Sequence, residues 1–297
     1  MKFRTEYEAL KAPFTLSPEK TVVLAGSCFS QNMANLMCEH KWRAVNPLGT
    51  LYNPVSIFLA VGMMLDKEGG AIKFEESLFL YNDIWHSNKF DSSFSSTDKE
   101  DCLADFKNKQ SIFNSSLREG GTLIITFGTS ICYYMKDDNY PVGNCHKQPS
   151  GLFLEKRLTI TEITQLWIPF IKELTEKIPG IRIVFTVSPV RHLKNGFAGN
   201  SKSKAILLLA VEEICRHYPN CFYFPAYEIL NDDLRDYRFY ASDLVHPSEE
   251  AVEYIWEKFK QTFIDEKGLA YLHQGRKELK SQLHRPMTGA LGKTIKK

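Results

Sequence analysis

The amino-acid sequence predicts an α/β protein, a three-layer α/β/α sandwich built on a five-stranded parallel sheet. Three observations lead there. Short apolar runs rich in β-branched residues occupy positions 21–25, 43–48, 122–127, 181–187 and 221–225. Helix-period segments alternate with them along the chain. The strand runs are nearly continuous in apolar residues, the pattern of a sheet covered by helices on both faces.

The first strand, Val22-Val23-Leu24-Ala25, turns through Gly26-Ser27 into a helix over 28–41, where Phe29, Met33, Leu36 and Met37 recur at helical spacing. Strand 43–48 and helix 54–66 follow, then helix 99–117, strand 122–127, helix 161–177, strand 181–187, helix 202–217, strand 221–225 and helix 248–265. Two stretches break the alternation. Residues 69–96 read as a hairpin followed by a Ser-rich loop, and residues 136–159 as a long irregular connection. Both leave from C-terminal strand ends, where ligands bind in such folds. With no internal repeat and no low-complexity linker, the chain reads as one domain over 1–265, with insertions near 69–97 and 136–159. A basic, partly disordered extension is expected over 266–297.

A chain of 297 residues with 43% hydrophobic and 24% charged residues can bury a large core. The net charge of +2 gives no reason to invoke nucleic acid. The segment from Gly275 onward carries seven Lys/Arg against one acid, Glu278, and reads as a solvated tail. The start, MKFRTEYEAL, lacks the apolar core of a signal, and the longest apolar run, 56–65, is too short to cross a bilayer; a cytoplasmic protein with no membrane span is expected. Seven cysteines at irregular positions, with no C-x-x-C pair, argue against a disulfide framework and a structural zinc site. Most of them are expected to act as small buried hydrophobes.

The chemistry starts at the corner after the first strand. Gly26 suits a turn closed to other residues, and the next side chain, Ser27, is then held at the C-terminal edge of the sheet. A serine hydroxyl is a poor nucleophile until a base takes its proton, and that base is normally a histidine oriented by a carboxylate. Ser242-Asp243-Leu244-Val245-His246-Pro247-Ser248 offers both. Asp243 and His246, three residues apart, are close enough for the carboxylate to accept the imidazole Nδ1 proton, and Pro247 restricts the backbone before the last helix. The simpler reading of Ser27 is a helix N-cap. Cys28 beside it, at a helix N-terminus, makes a thiolate nucleophile conceivable.

GSCF after the first strand, Asn46-Pro47-Leu48-Gly49-Thr50-Leu51-Tyr52-Asn53-Pro54, Asn144-Cys145-His146-Lys147, Ser188-Pro189-Val190-Arg191-His192 and DLVHPS, in this order over about residues 20–265, resemble the GSCFA family. That family in turn looks like a branch of the SGNH, or GDSL-type, hydrolases. The resemblance implies a flavodoxin-like sheet, Ser27 as nucleophile, His246 as general base and Asp243 as its orienting partner. It also implies an oxyanion hole from the Ser27 N–H, a Gly N–H after the second strand, matched by Gly49, and an Asn side chain after the third. There the sequence departs: Gly128-Thr129-Ser130-Ile131 puts Ser130 where the superfamily has Asn, and Asn144 is the candidate substitute. One such donor is worth roughly two to three powers of ten in rate, so weak activity is one expectation.

His86 beside Trp85, His146, Arg191 and His192 fall on predicted pocket loops as candidate substrate contacts, each also explicable by loop hydrogen bonding or packing. No His-Glu-x-x-His occurs, Cys145 and His146 are adjacent, and neither Gly-x-Ser-x-Gly nor a nucleotide-binding glycine motif appears. No metal and no cofactor are expected. The expected function is a serine esterase acting on small acyl esters, O-acetyl groups on carbohydrate among them, the latter suggested by Trp85, Phe90, Phe94, Tyr133, Tyr134 and Tyr140 near the pocket loops. Its rivals are an O-acyltransferase using the same residues and a catalytically weak ligand-binding protein of the same fold.

Overall fold

Five parallel strands carry the domain: β1 (Val22–Gly26), β2 (Ala44–Val45), β5 (Thr122–Phe127), β9 (Arg182–Val187) and β10 (Cys221–Phe224). The computed structural model describes residues 4–283. In space the order is β2-β1-β5-β9-β10, so the chain adds strands on one side of β1, then reverses and adds the rest on the other. This is the flavodoxin-like order, and the reversal between β1 and β5 opens a crevice at their C-terminal ends.

Alternation along β1 explains the layers. Val22 and Leu24 face a core with α1 (Cys28–Glu39) and α8 (Glu249–Phe263). Val23 and Ala25 face the opposite core, formed with α2 (Pro54–Leu65), α4 (Lys99–Gly120), α5 (Ile160–Lys177) and α6 (Gly196–His217). Helix starts follow the sequence: Asn53 caps α2 ahead of Pro54, Thr159 and Glu162 form a capping box on α5, and Ser248 caps α8.

Several expectations are corrected. Strand 43–48 shrinks to Ala44–Val45, because Pro47 has no N–H to extend the ladder. Before the expected hairpin, β3 (Leu78–Tyr81) and β4 (Ile84–Ser87), lies a short helix, α3 (Gly70–Glu76). Its Gly70 packs so closely that an added Cβ would lie 2.2 Å from Met63 O. Asn82 and Asp83 turn the hairpin with φ of 51° and 58°. The 136–159 connection is not irregular throughout: β7 (Pro141–Val142) and β8 (Phe153–Arg157) pair antiparallel with β6 (Ile131–Met135) as a three-stranded flap. Helix α6 begins at Gly196 rather than 202.

After β10, the short helix α7 (Ala226–Glu228) runs into a π-helical turn. Residues Glu266–Leu283 of the expected extension form helix α9, with Leu272 buried against the α1/α8 core; the rest of the extension, with Arg285, Lys293, Lys296 and Lys297, lies outside the described residues. Only three of the seven cysteines are buried, Cys102, Cys132 and Cys221. Among the described residues no helix is long and apolar enough to cross a membrane.

Candidate active site

The corner between β1 and α1 is built by Gly26. Its φ is +132°, and an added Cβ would lie 2.2 Å from Thr126 O on the neighbouring strand, so no other residue fits. Ser27, 1% exposed, then caps α1, its Oγ accepting the Phe29 N–H at 3.3 Å. The capping role expected of this serine is therefore present. Ser30, one turn further on, is fully buried, and its Oγ donates to Thr126 Oγ1 at 2.7 Å, tying α1 to β5.

On the loop before α8, the chain doubles back through a Tyr240–Pro247 bridge, with the Ala241 N–H donating to His246 O at 2.8 Å. Inside the loop, Asp243 Oδ1 accepts the N–H groups of Val245 (2.9 Å) and His246 (3.0 Å), and its Oδ2 lies 2.6 Å from His246 Nδ1. These contacts hold the Asp243 carboxyl down at about 2; the His246 backbone N–H contributes most, then that of Val245, then the ring. A carboxylate at Nδ1 keeps the proton there and leaves the lone pair of the neutral ring on Nε2. Both side chains are nearly half-exposed, so the pair matters for orientation more than for stability.

Arg191 braces this loop from outside. Its backbone N–H donates to Val245 O at 3.1 Å, and its guanidinium stacks 4.0 Å over the Tyr240 ring. Because the Asp243 carboxyl lies below its unfolded value of 3.8, the turn's contribution to stability is present above that pH and is lost as pH falls through 2. Urea midpoints of wild type and Asp243→Ala are expected to differ at pH 7 and to draw together below pH 4. A gap that persists unchanged to pH 2 would contradict this assignment.

Packing of α8 on α1 joins the two segments. Val252, Ile255, Trp256 and Phe259 share a buried cluster with Phe29, Met33 and Met37. Ser27 and His246 consequently line one cleft of about 340 Å³, at the crevice between β1 and β5, with Cys28, Tyr52, Gly128, Ser188, Val190, Arg191, His192 and Val245. Among the described residues no direct hydrogen bond joins Ser27 Oγ to the His246 ring. Such bonds are often long before substrate binds. A larger, open hollow over Arg4, Glu6, Tyr7 and Lys258 contains no nucleophile with an adjacent base.

The expected oxyanion donors are not gathered there. The Ser27 N–H is engaged by Thr126 O at 3.1 Å. Gly49 sits against the Asp91 carboxylate, outside the cleft. Ser130 is fully buried, its N–H and Oγ both directed to Ser203 Oγ at 2.7 and 3.1 Å. Asn144 uses its Oδ1 to accept the His146 N–H at 2.8 Å and does not line the cleft.

Of the candidate contacts, Arg191 and His192 line the cleft, and His86 and His146 do not. The latter two stack with centroids 4.5 Å apart; His146 Nε2 bonds to Ser87 O and Phe90 O, and His86 Nδ1 to Ser95 Oγ. They hold the insertion together. The aromatic residues near the pocket loops also fall elsewhere: Phe90 and Phe94 are core, packed with Phe74 and Phe106. Tyr52 is the ring that reaches the cleft, and its carbonyl accepts the N–H groups of Gly128 and Thr129. Burial raises the Cys28 thiol, outweighing what its place at a helix N-terminus does, which argues against a thiolate there.

Fold and cleft together define a doubly wound α/β protein with this cleft at the strand-order reversal. The chain belongs to the GSCFA family, whose sequence model matches residues 21–259, from the first strand into α8. No curated protein matches it.

Proposed function

We propose that the protein is a serine hydrolase of SGNH type, acting on small acyl esters through Ser27, His246 and Asp243. The observation that carries this reading is that Ser27 and His246, 219 positions apart, line one cleft while Asp243 holds His246 Nδ1 at 2.6 Å. His246 Nε2 takes the proton from Ser27 Oγ as the oxygen attacks the ester carbonyl. The collapsing intermediate expels the alcohol, which receives that proton from His246. Water, deprotonated by the same imidazole, then releases the acid and returns the proton to Ser27 Oγ. A cavity of about 340 Å³ fits a small acyl group with part of its alcohol. The aromatic residues that suggested carbohydrate lie outside the cleft, so the proposal stops at the acyl ester.

The test is covalent. A fluorophosphonate is expected to label wild type on the peptide containing Ser27, located by mass spectrometry. No labelling of folded protein would sink the reading. It would then favour a ligand-binding protein, for which the absence of Gly49, Ser130 and Asn144 from the cleft already speaks. An O-acyltransferase shares the first half of the reaction. It would form the acyl-enzyme, hydrolyse it slowly, and release it faster when an alcohol is added.

A further inference from the structure

An ammonium group lies beneath the cleft. Lys204, on α6, is 1% exposed, and its Nζ donates to Gly128 O and Ser188 O, both at 2.7 Å. Those carbonyls belong to the exits of β5 and β9, adjacent parallel strands, and both residues line the cleft with Ser27 and His246. Removing an ammonium from water costs several kcal/mol, which two carbonyl dipoles offset only in part. A methionine would fill similar space without that cost. Among the described residues no carboxylate forms an ion pair with it.

The charge is felt by side chains in the cleft. Burial pushes the Cys28 thiol up, and the Lys204 cation pulls against it. Burial lowers His192, and Lys204 lowers it further. The same burial brings the lysine itself down to about 7. The donors that would ordinarily meet an oxyanion are directed elsewhere, so positive charge reaches the cleft from Arg191, which lines it, from the N-terminus of α1 and from this cation held by two of the lining carbonyls.

We propose that Lys204 is a positioning residue of the Ser27 site: its ammonium fixes the two strand exits and supplies positive charge behind the place where an anion forms. The kinetic consequence rests on Ser27 being the nucleophile; the charge at the cleft does not. Lys204→Gln keeps donors for the two carbonyls and removes the charge, whereas Lys204→Met removes both. Two measurements separate the roles. One is the pH titration of the His192 imidazole, followed by NMR below pH 7 where Lys204 is charged, and the other is the rate at which a fluorophosphonate labels Ser27.

In both variants His192 is expected to titrate at higher pH, since the cation that lowers it is gone. Labelling of Ser27 is expected to slow about 100-fold, with Gln no better than Met. If Lys204→Met does not fold, Lys204→Gln carries the test alone. Wild-type His192 titration in folded Lys204→Gln overturns the proposal, as does full recovery of labelling by Gln, since Lys204 would then be an uncharged brace. A His192 shift in a protein whose Ser27 never labels supports the charge at the cleft and refutes only the nucleophile.

Discussion

Replacing Ser27 with alanine is expected to lower ester hydrolysis by roughly 10⁴- to 10⁶-fold, since removing the nucleophile of such a set removes the acyl-enzyme route altogether. The same change has a structural side, because Ser27 Oγ also caps α1 through the Phe29 N–H. Loss of that cap costs about 1 kcal/mol. Such a loss leaves a well-folded enzyme population essentially intact and cannot imitate four powers of ten in rate. His246→Ala, at an exposed position without a capping role, is expected to match the rate loss with little change in the urea midpoint. Initial rates on short-chain p-nitrophenyl esters, beside urea denaturation of the same preparations, check both. If Ser27→Ala hydrolyses as fast as wild type, the nucleophile has been misassigned.

Gly26→Ala is expected to be the most damaging single-methyl change in the site, destabilising the fold by about 4 kcal/mol or more. Two costs coincide. At φ +132° a Cβ is strained whatever the space around it, and here it would also sit 2.2 Å from Thr126 O. Relief requires β1 and β5 to part at the rung where Gly26 pairs with Thr126, and the Ser27 N–H bond to Thr126 O parts with them. The variant should unfold at markedly lower urea and, where still folded, label slowly with the fluorophosphonate. Gly180, also at positive φ but with nothing within 4 Å of where a Cβ would stand, is the control, expected to cost about 1 kcal/mol as alanine. Equal losses at the two glycines would show that strain alone governs position 26.

The corner and the histidine loop were legible because each is made by residues close in sequence. An apolar run ending in Gly-Ser before a helical period gives the corner, and Asp-x-x-His spans the hydrogen bonds from Asp243 to Val245 and His246. The helix in front of the hairpin was not legible, because its Gly69-Gly70 start reads as a breaker until Met63 is seen packed against it. Within 136–159 the strands are short and interrupted by Pro141 and Gly143, so their pairing with β6 leaves little periodicity to read.

By itself, the sequence determined the alternation of strands and helices, the Gly26-Ser27 corner and the Asp243–His246 turn, since periodicity and contacts within a few residues are written locally. Only the tertiary structure decided which groups share the cleft. Lys204 meets Gly128 across 76 positions, Ser203 takes up Ser130 across 73, and Asp91 reaches back to Gly49 and Thr50. A buried ammonium inside an ordinary helical period looks like any solvated lysine, and a committed hydroxyl looks like a free one. What distinguishes them is the partner that packing brings, and no spacing along the chain records it.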